Sequence, residues 1–263
     1  DFARGVLLAR QRAGHHAGEA QSAPGEIVAE PACLLAAQPG ERACQVEVHL
    51  EARDPTGQDG TEVRGALLVV ARVQPGVRNL AISEAVAPYG LYYAPDPSSQ
   101  IACSIGGNVA ENSGGAHCSK YGLTVHNILK IRVVTIEGEL LEIGSEALDA
   151  PGYDLLALLT GSEGMLAVTT EVTVKLLPKP ECAQAILAAF DDVEKAGLAV
   201  GNIIAGGIIP AGLEMMDKPA IRAAEDYIHA NYPRDAEAIL LCESDGTNEE
   251  VADEMARMKE ILE

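Results

Sequence analysis

One short stretch, Pro178-Lys179-Pro180, limits what this chain can fold into, because it divides the patterned part of the sequence in two. Two prolines within three residues stop a strand or a helix, so we expect a domain boundary at this point. Before the boundary the pattern is rich in strands; after it, strands alternate with amphipathic helices. The sequence therefore predicts an α+β chain with one domain over residues 73–180 and another over residues 181–263.

Turn residues separate the elements predicted before the boundary. A strand ends at the turn Pro75-Gly76, and a helix then runs to Gly90. Residues 128–144 alternate in polarity on both sides of Glu137-Gly138, which predicts a hairpin with one buried face. A short helix over residues 155–159 and a strand that runs to the prolines complete this half.

The second half contains three predicted strands, "AQAILAAF", "GLEMM" and "AEAILLCE". Asp191 with Glu194 is predicted to cap the first helix, Pro219 opens the second, and Thr247 with Glu250 caps the third. Four apolar residues of the third helix share one stripe: Val251, Met255, Met258 and Leu262.

Residues 1–72 have a different composition from the rest. They contain no Lys, Asn, Tyr or Met and lack a sustained helix or strand period. We considered a diverged genuine segment and an artefact such as an out-of-frame stretch of GC-rich DNA, and we favour the artefact. This segment is left without a domain assignment.

Charge and cysteine content exclude several classes of function. The formal net charge of −20 argues against a nucleic-acid or anionic-membrane partner, since both need basic patches. No apolar run reaches the roughly 18 residues of a membrane span. The six cysteines show no zinc spacing, so we expect reduced thiols and no metal site. These features predict a soluble cytoplasmic protein.

The stretch "CSIGGNVAENSGG", residues 103–115, holds four glycines and two asparagines, too many for a packed helix interior, and is predicted to be a loop. Its glycine pairs would let the backbone approach an anion such as a diphosphate. A tight structural turn is the alternative. Neither a P-loop nor a Rossmann glycine motif is present.

Four motifs in a fixed order favour the ligand site: "PDPSS" at 95–99, "SIGGNVAENSGG" at 104–115, "KYGLTVHN" at 120–127 and "GSEGMLAVTTEVTVKLLPKP" at 161–180. This series resembles the flavoprotein family typified by vanillyl-alcohol oxidase. Within that family it is similar to the branch of the D-subunit of bacterial glycolate oxidase and the D-2-hydroxyacid dehydrogenases. The resemblance covers roughly residues 71–263. It implies the second half of an FAD-binding domain of the PCMH type, followed by part of a ferredoxin-like cap domain.

The resemblance also implies a set of FAD-binding residues. Those expected along the flavin and its diphosphate are Pro95, Asp96 and Ser98. Those expected around the ribityl and diphosphate portion are Gly106, Gly107, Asn112, Gly114 and Gly115. Those expected at the ribose or adenine side are Gly161, Ser162, Glu163 and Gly164, with Val168 and Thr169 in the next strand. Four further candidates follow the glycine stretch: Tyr121, Gly122, Thr124 and Asn127.

Some motifs of the family are missing from this sequence. Nothing in residues 1–72 reproduces the family's Arg-Gly-x-Gly-Thr loop, and the cap motifs that supply metal ligands and a proton acceptor are absent. We therefore expect a fragment, with weak FAD binding. No metal ligand and no catalytic residue is assigned, and His229 is interpreted as a solvated surface residue.

In the complete family enzyme, the expected reaction is oxidation of a small 2-hydroxy acid, such as glycolate or D-lactate, to the 2-oxo acid, with FAD as the hydride acceptor. Partner subunits of a glycolate oxidase complex could hold the protein at the inner membrane. The alternative is a non-catalytic flavin-binding or assembly module that works only with partner chains.

Overall fold

The computed structural model describes residues 7–10, 46–49, 69–145 and 152–263, which fall into two compact units. The first unit comprises residues 19–115 and 121–179. The second unit comprises residues 1–18, 116–120 and 180–263, so the chain leaves the first unit for five residues and then returns. The interpretation of residues 1–72 as an artefact lies almost entirely outside the described residues.

In chain order, the strands of the described residues are β1 (Leu7–Arg10), β2 (Val46–His49), β3 (Val69–Val73), β4 (Leu91–Tyr92), β5 (Ile128–Val134), β6 (Leu140–Gly144), β7 (Val168–Pro178), β8 (Cys182–Phe190), β9 (Gly212–Asp217) and β10 (Ala238–Gly246). The helices are α1 (Asn79–Val86), α2 (Ile105–Glu111), α3 (Cys118–Tyr121), α4 (Thr124–Asn127), α5 (Leu155–Leu159), α6 (Val193–Ala205), α7 (Lys218–Ile228) and α8 (Asn248–Leu262).

The first unit is built on an antiparallel sheet in the order β2-β3-β7-β5-β6, and β4 pairs with β7. The predicted hairpin is present as β5 and β6, and Gly138 takes a φ of 82° in its turn. Inward side chains of β5 alternate with outward ones, as a sheet with one covered face requires. The core of this unit includes Ile82, Ile105, Ile131 and Val174.

A row of ion pairs crosses β3, β7, β5 and β6 of this sheet. Glu171 lies 3.5 Å from Arg72 and 3.7 Å from Arg132, and Arg132 contacts Glu142 at 2.7 Å. Lys130 extends the row with a 3.6 Å contact to Glu142. The hydrogen bond from Arg132 lowers the pKa of the Glu142 carboxyl. Because these groups are partly exposed, each pair adds little stability by itself, and the row mainly fixes which residues face each other.

The second unit has a four-stranded antiparallel sheet in the order β1-β8-β10-β9. The alternating strands and helices predicted here are all present, and α6 and α8 cover one face of the sheet. The predicted α8 stripe is buried, in a core shared with Ile186, Leu240 and Ile203. The prediction of a mixed α+β fold is thus confirmed.

Helix caps agree with the sequence prediction at α8 and differ at α6. Thr247 and Glu250 form the expected capping box. The cap of α6 is Asp192, which accepts a hydrogen bond from the Glu194 backbone N–H at 2.8 Å, so the prediction of Asp191 was wrong by one residue. Asp191 instead binds Lys195, four residues on, at 2.8 Å.

The glycine-rich stretch is not simply a loop, which corrects the sequence interpretation. Residues Ile105–Glu111 form α2, and Ser104 caps the helix by accepting a hydrogen bond from the Gly107 N–H at 3.3 Å. Ile105 and Val109 are buried in the core of the first unit. Helix α2 tolerates Gly106 and Gly107 because burial of its apolar face outweighs the low helix propensity of glycine.

Among the described residues, no helix is long and apolar enough to cross a membrane. The four cysteines of this part of the chain, Cys103, Cys118, Cys182 and Cys242, are free thiols. His229 is exposed, as expected, and lies just after the last residue of α7 with a φ of 52°.

Candidate functional site

An open cleft of about 360 Å³ lies within the first unit. Three segments line it: the turn Pro75-Gly76, the start and middle of α2, and residues 159–169, which lead from α5 into β7. Six of the predicted site residues lie on its wall, and these are Gly106, Gly107, Ser162, Gly164, Val168 and Thr169. The motifs at 104–115 and 161–180 therefore meet at one site.

The first turn of α2 packs closely on the turn Pro75-Gly76. The Gly106 N–H donates to the Pro75 carbonyl oxygen at 2.9 Å, and a Cβ at Gly106 would lie 2.6 Å from the Pro75 Cβ. Gly106 is therefore needed for packing within the chain. At Gly107, by contrast, a Cβ would meet only the Ser104 Oγ, at 3.3 Å, and this glycine is exposed. Because Gly107 has no side chain, the backbone of α2 is accessible from the cleft at this position.

Residues 161–164 form a tight turn held against the end of α2. The Gly161 N–H donates to the Val109 carbonyl at 2.8 Å, and the Glu163 N–H donates to the Ala110 carbonyl at 2.9 Å. Gly161, Glu163 and Gly164 have φ values of 84°, 55° and 74°. A positive φ at Glu163 is uncommon for a residue with a side chain. A Cβ at Gly164 would meet no atom within 4 Å, so this part of the turn also presents bare backbone.

The "PDP" motif and the last glycine of the stretch hold each other. A Cβ at Gly115 would lie 2.2 Å from the Asp96 Oδ1 and 2.4 Å from its carbonyl oxygen, so only glycine fits there. The Pro95 carbonyl accepts a hydrogen bond from the buried Asn79 side chain at 3.0 Å. Ser98 is exposed. These residues, together with Gly114, do not line the cleft.

The segment after the glycine stretch is tied to it by hydrogen bonds. Asn112 has a φ of 51° at the end of α2, and its Oδ1 accepts from the Val125 N–H at 3.0 Å. The Thr124 hydroxyl donates to the Ser113 carbonyl at 2.7 Å. Asn127 is buried and its Nδ2 donates to the Tyr121 carbonyl at 2.8 Å. These polar groups act within the protein and hold the turn.

A glycine and two tyrosines complete this turn. Gly122 has a φ of 81°, where a side chain would be strained and would crowd His126. The Tyr121 ring meets the Tyr92 ring edge to face, with centroids 6.1 Å apart. The four candidates Tyr121, Gly122, Thr124 and Asn127 thus lie together but away from the cleft wall.

Seven cleft residues were not among the predicted site residues: Pro75, Gly76, Ser104, Val109, Ala110, Leu159 and Ala167. Of these, Ser104 had a signal, because a serine directly before an apolar helical pattern is a typical N-cap. The contribution of Pro75-Gly76 depends on a contact between residues about thirty positions apart, which no local pattern reveals.

The chemistry of the cleft suits part of a dinucleotide. Its lining residues carry no ionisable side chain, and their polar side chains are the hydroxyls of Ser104, Ser162 and Thr169. Bare backbone at Gly107 and Gly164 allows a bulky ligand to come close. The residues present therefore fit FAD as a ligand of this wall. No group of three or more His, Cys, Asp or Glu side chains that could hold a metal ion occurs in the part of the chain the structure describes.

Two family models match this chain. Residues 68–144 match the "FAD binding domain" and residues 179–263 match the "FAD linked oxidases, C-terminal domain". The chain therefore belongs to the family of FAD-linked oxidases with a PCMH-type FAD-binding domain, and the resemblance seen in its motifs is confirmed. FAD is the cofactor of this family, which confirms the cofactor prediction.

Relatives with assigned names agree with this family. The chain is 75% identical over 192 residues to the glycolate oxidase subunit GlcD of Escherichia coli strain K12, a match over 73% of this chain and 38% of that protein. It is 44% identical to the same subunit of Bacillus subtilis strain 168 over 73% of this chain and 41% of that protein. It is 33% identical to a D-lactate dehydrogenase of Anaerostipes hadrus over 69% of this chain and 39% of that protein. The chain thus spans about two fifths of the length of the relatives it matches.

A solved structure supports the fold alone. An alkyldihydroxyacetonephosphate synthase superposes with a TM-score of 0.64 at 22% identity, over 73% of this chain and 38% of the other.

Proposed function

We propose that this chain belongs to an FAD-dependent oxidoreductase that oxidises a small 2-hydroxy acid of the glycolate or D-lactate type to the 2-oxo acid. The observation that carries the proposal is the cleft, where the two glycine-containing motifs predicted to bind FAD lie on one wall without a charged side chain. The names of the relatives, glycolate oxidase subunit and D-lactate dehydrogenase, support the substrate class.

In this proposal the chain's own residues bind and orient the cofactor. Gly107 and Gly164 leave room for its close approach, and the hydroxyls of Ser104 and Ser162 are available to hydrogen-bond its polar atoms. Pro95, Asp96 and Asn112 shape the wall indirectly, because each is held by contacts within the first unit. When bound, FAD supplies the two-electron acceptor for the hydride from the hydroxyl-bearing carbon.

Two parts of the reaction are not assigned to residues of this chain. Oxidation of a 2-hydroxy acid also needs a base for the hydroxyl proton and a cation for the carboxylate. No lining residue of the cleft is ionisable. We therefore propose that these groups lie outside the cleft wall and assign no catalytic residue.

The decisive experiment tests FAD binding at Gly107. We expect the chain to quench the fluorescence of added FAD, and we expect Gly107→Val to raise the FAD dissociation constant about tenfold or more, which is about 1.4 kcal/mol. The valine side chain would stand on the cleft side of α2, where only the Ser104 Oγ is near.

The matched control is Gly197→Val. Gly197 is also an exposed glycine inside a helix, α6, and a Cβ there would meet no atom within 4 Å. Valine and glycine are both poor helix formers, so both variants should melt close to the wild type. Equal FAD affinity in the wild type and in Gly107→Val would contradict the proposed site.

The proposal also covers the partner subunits and the cellular location of the protein. The relatives' name "subunit" leads us to propose a cytoplasmic protein held at the inner membrane by partner chains. A chain that binds FAD but shows no turnover of glycolate or D-lactate with an artificial electron acceptor, even with the partner chains added, would favour the non-catalytic flavin-binding module instead.

A further inference from the structure

The seven lysines of the chain all lie in described residues, and five of them pair with carboxylates. An ammonium group in an ion pair is held in its charged form and is a poor nucleophile. The two lysines outside these pairs, Lys175 and Lys179, are four residues apart at the end of β7. The five pairs are Lys120–Asp245 at 2.7 Å, Lys130–Glu142 at 3.6 Å, Lys195–Asp191 at 2.8 Å, Lys218–Glu237, and Lys259–Glu263 at 3.7 Å.

Lys175 lies on the face of β7 that is turned away from the core of the first unit. Its neighbours Val174 and Leu176 are buried in that core, so the lysine side chain leaves the strand on the opposite side. The Lys175 Nζ donates to the His126 carbonyl oxygen in α4 at 3.2 Å. The side chain is half-buried, whereas this hydrogen bond is exposed. The amine is therefore held in place and stays open to solvent.

No carboxylate keeps Lys175 in its charged form. Among the described residues, the hydrogen bond to His126 is its one polar contact. Across the sheet Lys175 faces Val70 of β3, and Glu171, on the same face of β7, lies between Arg72 and Arg132. Burial lowers the pKa of the Lys175 amine. A larger fraction of this amine is therefore neutral near pH 8, and the neutral form carries the lone pair that attacks an electrophile.

The neighbours of Lys175 on this face are cationic. The sheet register pairs Thr173 with Arg72 of β3 and with Lys130 of β5, so both cations are diagonal neighbours of Lys175 across the strands. Together with Arg132, these cations outnumber the two carboxylates of the ion-pair row on this sheet. The chain as a whole has a net charge of −20 and repels small anions. This face is thus a favourable place for an anionic reagent to meet an amine.

We propose that Lys175 is a modification site that accepts an acyl group from an acyl phosphate. The neutral amine attacks the carbonyl carbon of the donor, a C–N bond forms, and the bond between that carbon and the phosphate oxygen breaks. The phosphate leaves with the electrons of that bond and takes up the proton that the nitrogen loses. The amide product keeps one N–H, which can still donate to the His126 carbonyl oxygen. Acylation of Lys175 does not depend on FAD binding.

The test is acetylation of the whole chain by acetyl phosphate at pH 8, followed by digestion after glutamate and mass spectrometry. Digestion releases residues 172–181 as one peptide that contains both Lys175 and Lys179. Fragment ions assign the acetyl group to one lysine or the other, so the exposed Lys179 is an internal control. We expect Lys175 to react at least about threefold faster than Lys179, because more of its amine is neutral at this pH.

The same reaction in concentrated urea shows what the flanking sequence contributes. Unfolding removes the difference in environment, so the ratio of the two rates should be at least about threefold higher in the folded chain than in urea. Raising the pH of the folded chain above about 10.5 should bring this ratio toward the urea value, because lysines in general lose their proton there.

Arg72→Gln tests the contribution of the cationic face. We expect this variant to slow acetylation of Lys175 by acetyl phosphate about twofold or more, and to leave its acetylation by the uncharged reagent acetic anhydride unchanged. The matched control is Arg222→Gln, at an exposed position of α7 in the second unit, which should change neither rate.

Three results would overturn the inference. One is a Lys175 to Lys179 ratio in the folded chain that equals or falls below the ratio in urea. Another is faster acetylation of a paired lysine, such as Lys218, than of Lys175. The third is an equal effect of Arg72→Gln on the reactions with acetyl phosphate and acetic anhydride, which would exclude the acyl phosphate as the preferred donor.

Discussion

Single residues explain why glycine recurs in the motifs of the first unit. Gly106 and Gly115 have no room for a side chain because Pro75 and Asp96 lie against them. At Gly107 an added Cβ would meet only the Ser104 Oγ, and at Gly164 it would meet no atom within 4 Å. Both glycines line the cleft. The sequence predicted that glycines would gather here, but it could not distinguish these two roles, because the partners Pro75 and Asp96 are distant in sequence.

Replacing Gly115 by alanine should destabilise the protein. The new Cβ would lie 2.2 Å from the Asp96 Oδ1 and 2.5 Å from its carbonyl carbon, so the backbone must shift. We expect a loss of roughly 1–3 kcal/mol in the free energy of unfolding, measured by urea denaturation. Gly197→Ala, at an open helical position, should instead gain about 0.5–1 kcal/mol. A Gly115→Ala protein as stable as the wild type would show that this contact is not tight.

Elements were predictable where one local pattern dominated. The β5–β6 hairpin and the α8 capping box follow from short patterns, turn glycine in one case and Thr247 with Glu250 in the other. Helix α2 does not follow from a short pattern, because its glycines suggest a loop and its burial depends on a core assembled from distant strands. At α6, two adjacent aspartates compete for the cap, and sequence alone does not decide between them.

Replacing each aspartate at the start of α6 separates their roles. Asp192→Ala removes the side chain that accepts the Glu194 N–H, and we expect it to cost about 0.5–2 kcal/mol in the free energy of unfolding. Asp191→Ala removes only an exposed contact with Lys195 and should cost less. Thermal melting of both variants measures the difference. A larger loss for Asp191→Ala would contradict the observed cap.

At the scale of the whole molecule, the motif series indicated the family correctly. The order of four motifs is a long-range property that chance rarely produces, so it remained informative although each motif is weak. The cleft could not be derived in the same way, because it depends on how α2 and residues 161–164 pack together. The proposed boundary at residue 180 stays a prediction.

The stability of the molecule should decrease in alkaline solution through a buried thiol. Burial raises the pKa of Cys242 from 9.0 to about 12. Between these values the folded state keeps a proton that the unfolded state has lost, so the contribution to stability is complete below pH 9 and is lost as pH rises toward 12. The loss is about 1.4 kcal/mol per pH unit at most.

Comparison of the wild type with Cys242→Ala isolates this effect. Free energies of unfolding measured by urea denaturation from pH 8 to pH 10.5 should fall more steeply for the wild type than for the variant. Burial also raises the pKa of Tyr93, but that effect is common to both proteins. Parallel pH dependences would show that the Cys242 thiol ionises as freely in the folded protein as in the unfolded chain.

Because residues 116–120 belong to the second unit, residues 180–263 alone do not contain the whole of that unit. An expressed piece of residues 180–263 would contain Glu243 and Asp245 but neither His117 nor Lys120. A protease cut at residue 180 would likewise separate residues 116–120 from the rest of the second unit, because they would stay on the fragment that carries the first unit. Recombination between relatives at the proline-rich boundary would therefore exchange β10 without the residues that contact it. Compatible crossovers would have to conserve the Lys120–Asp245 pair on both sides of the junction.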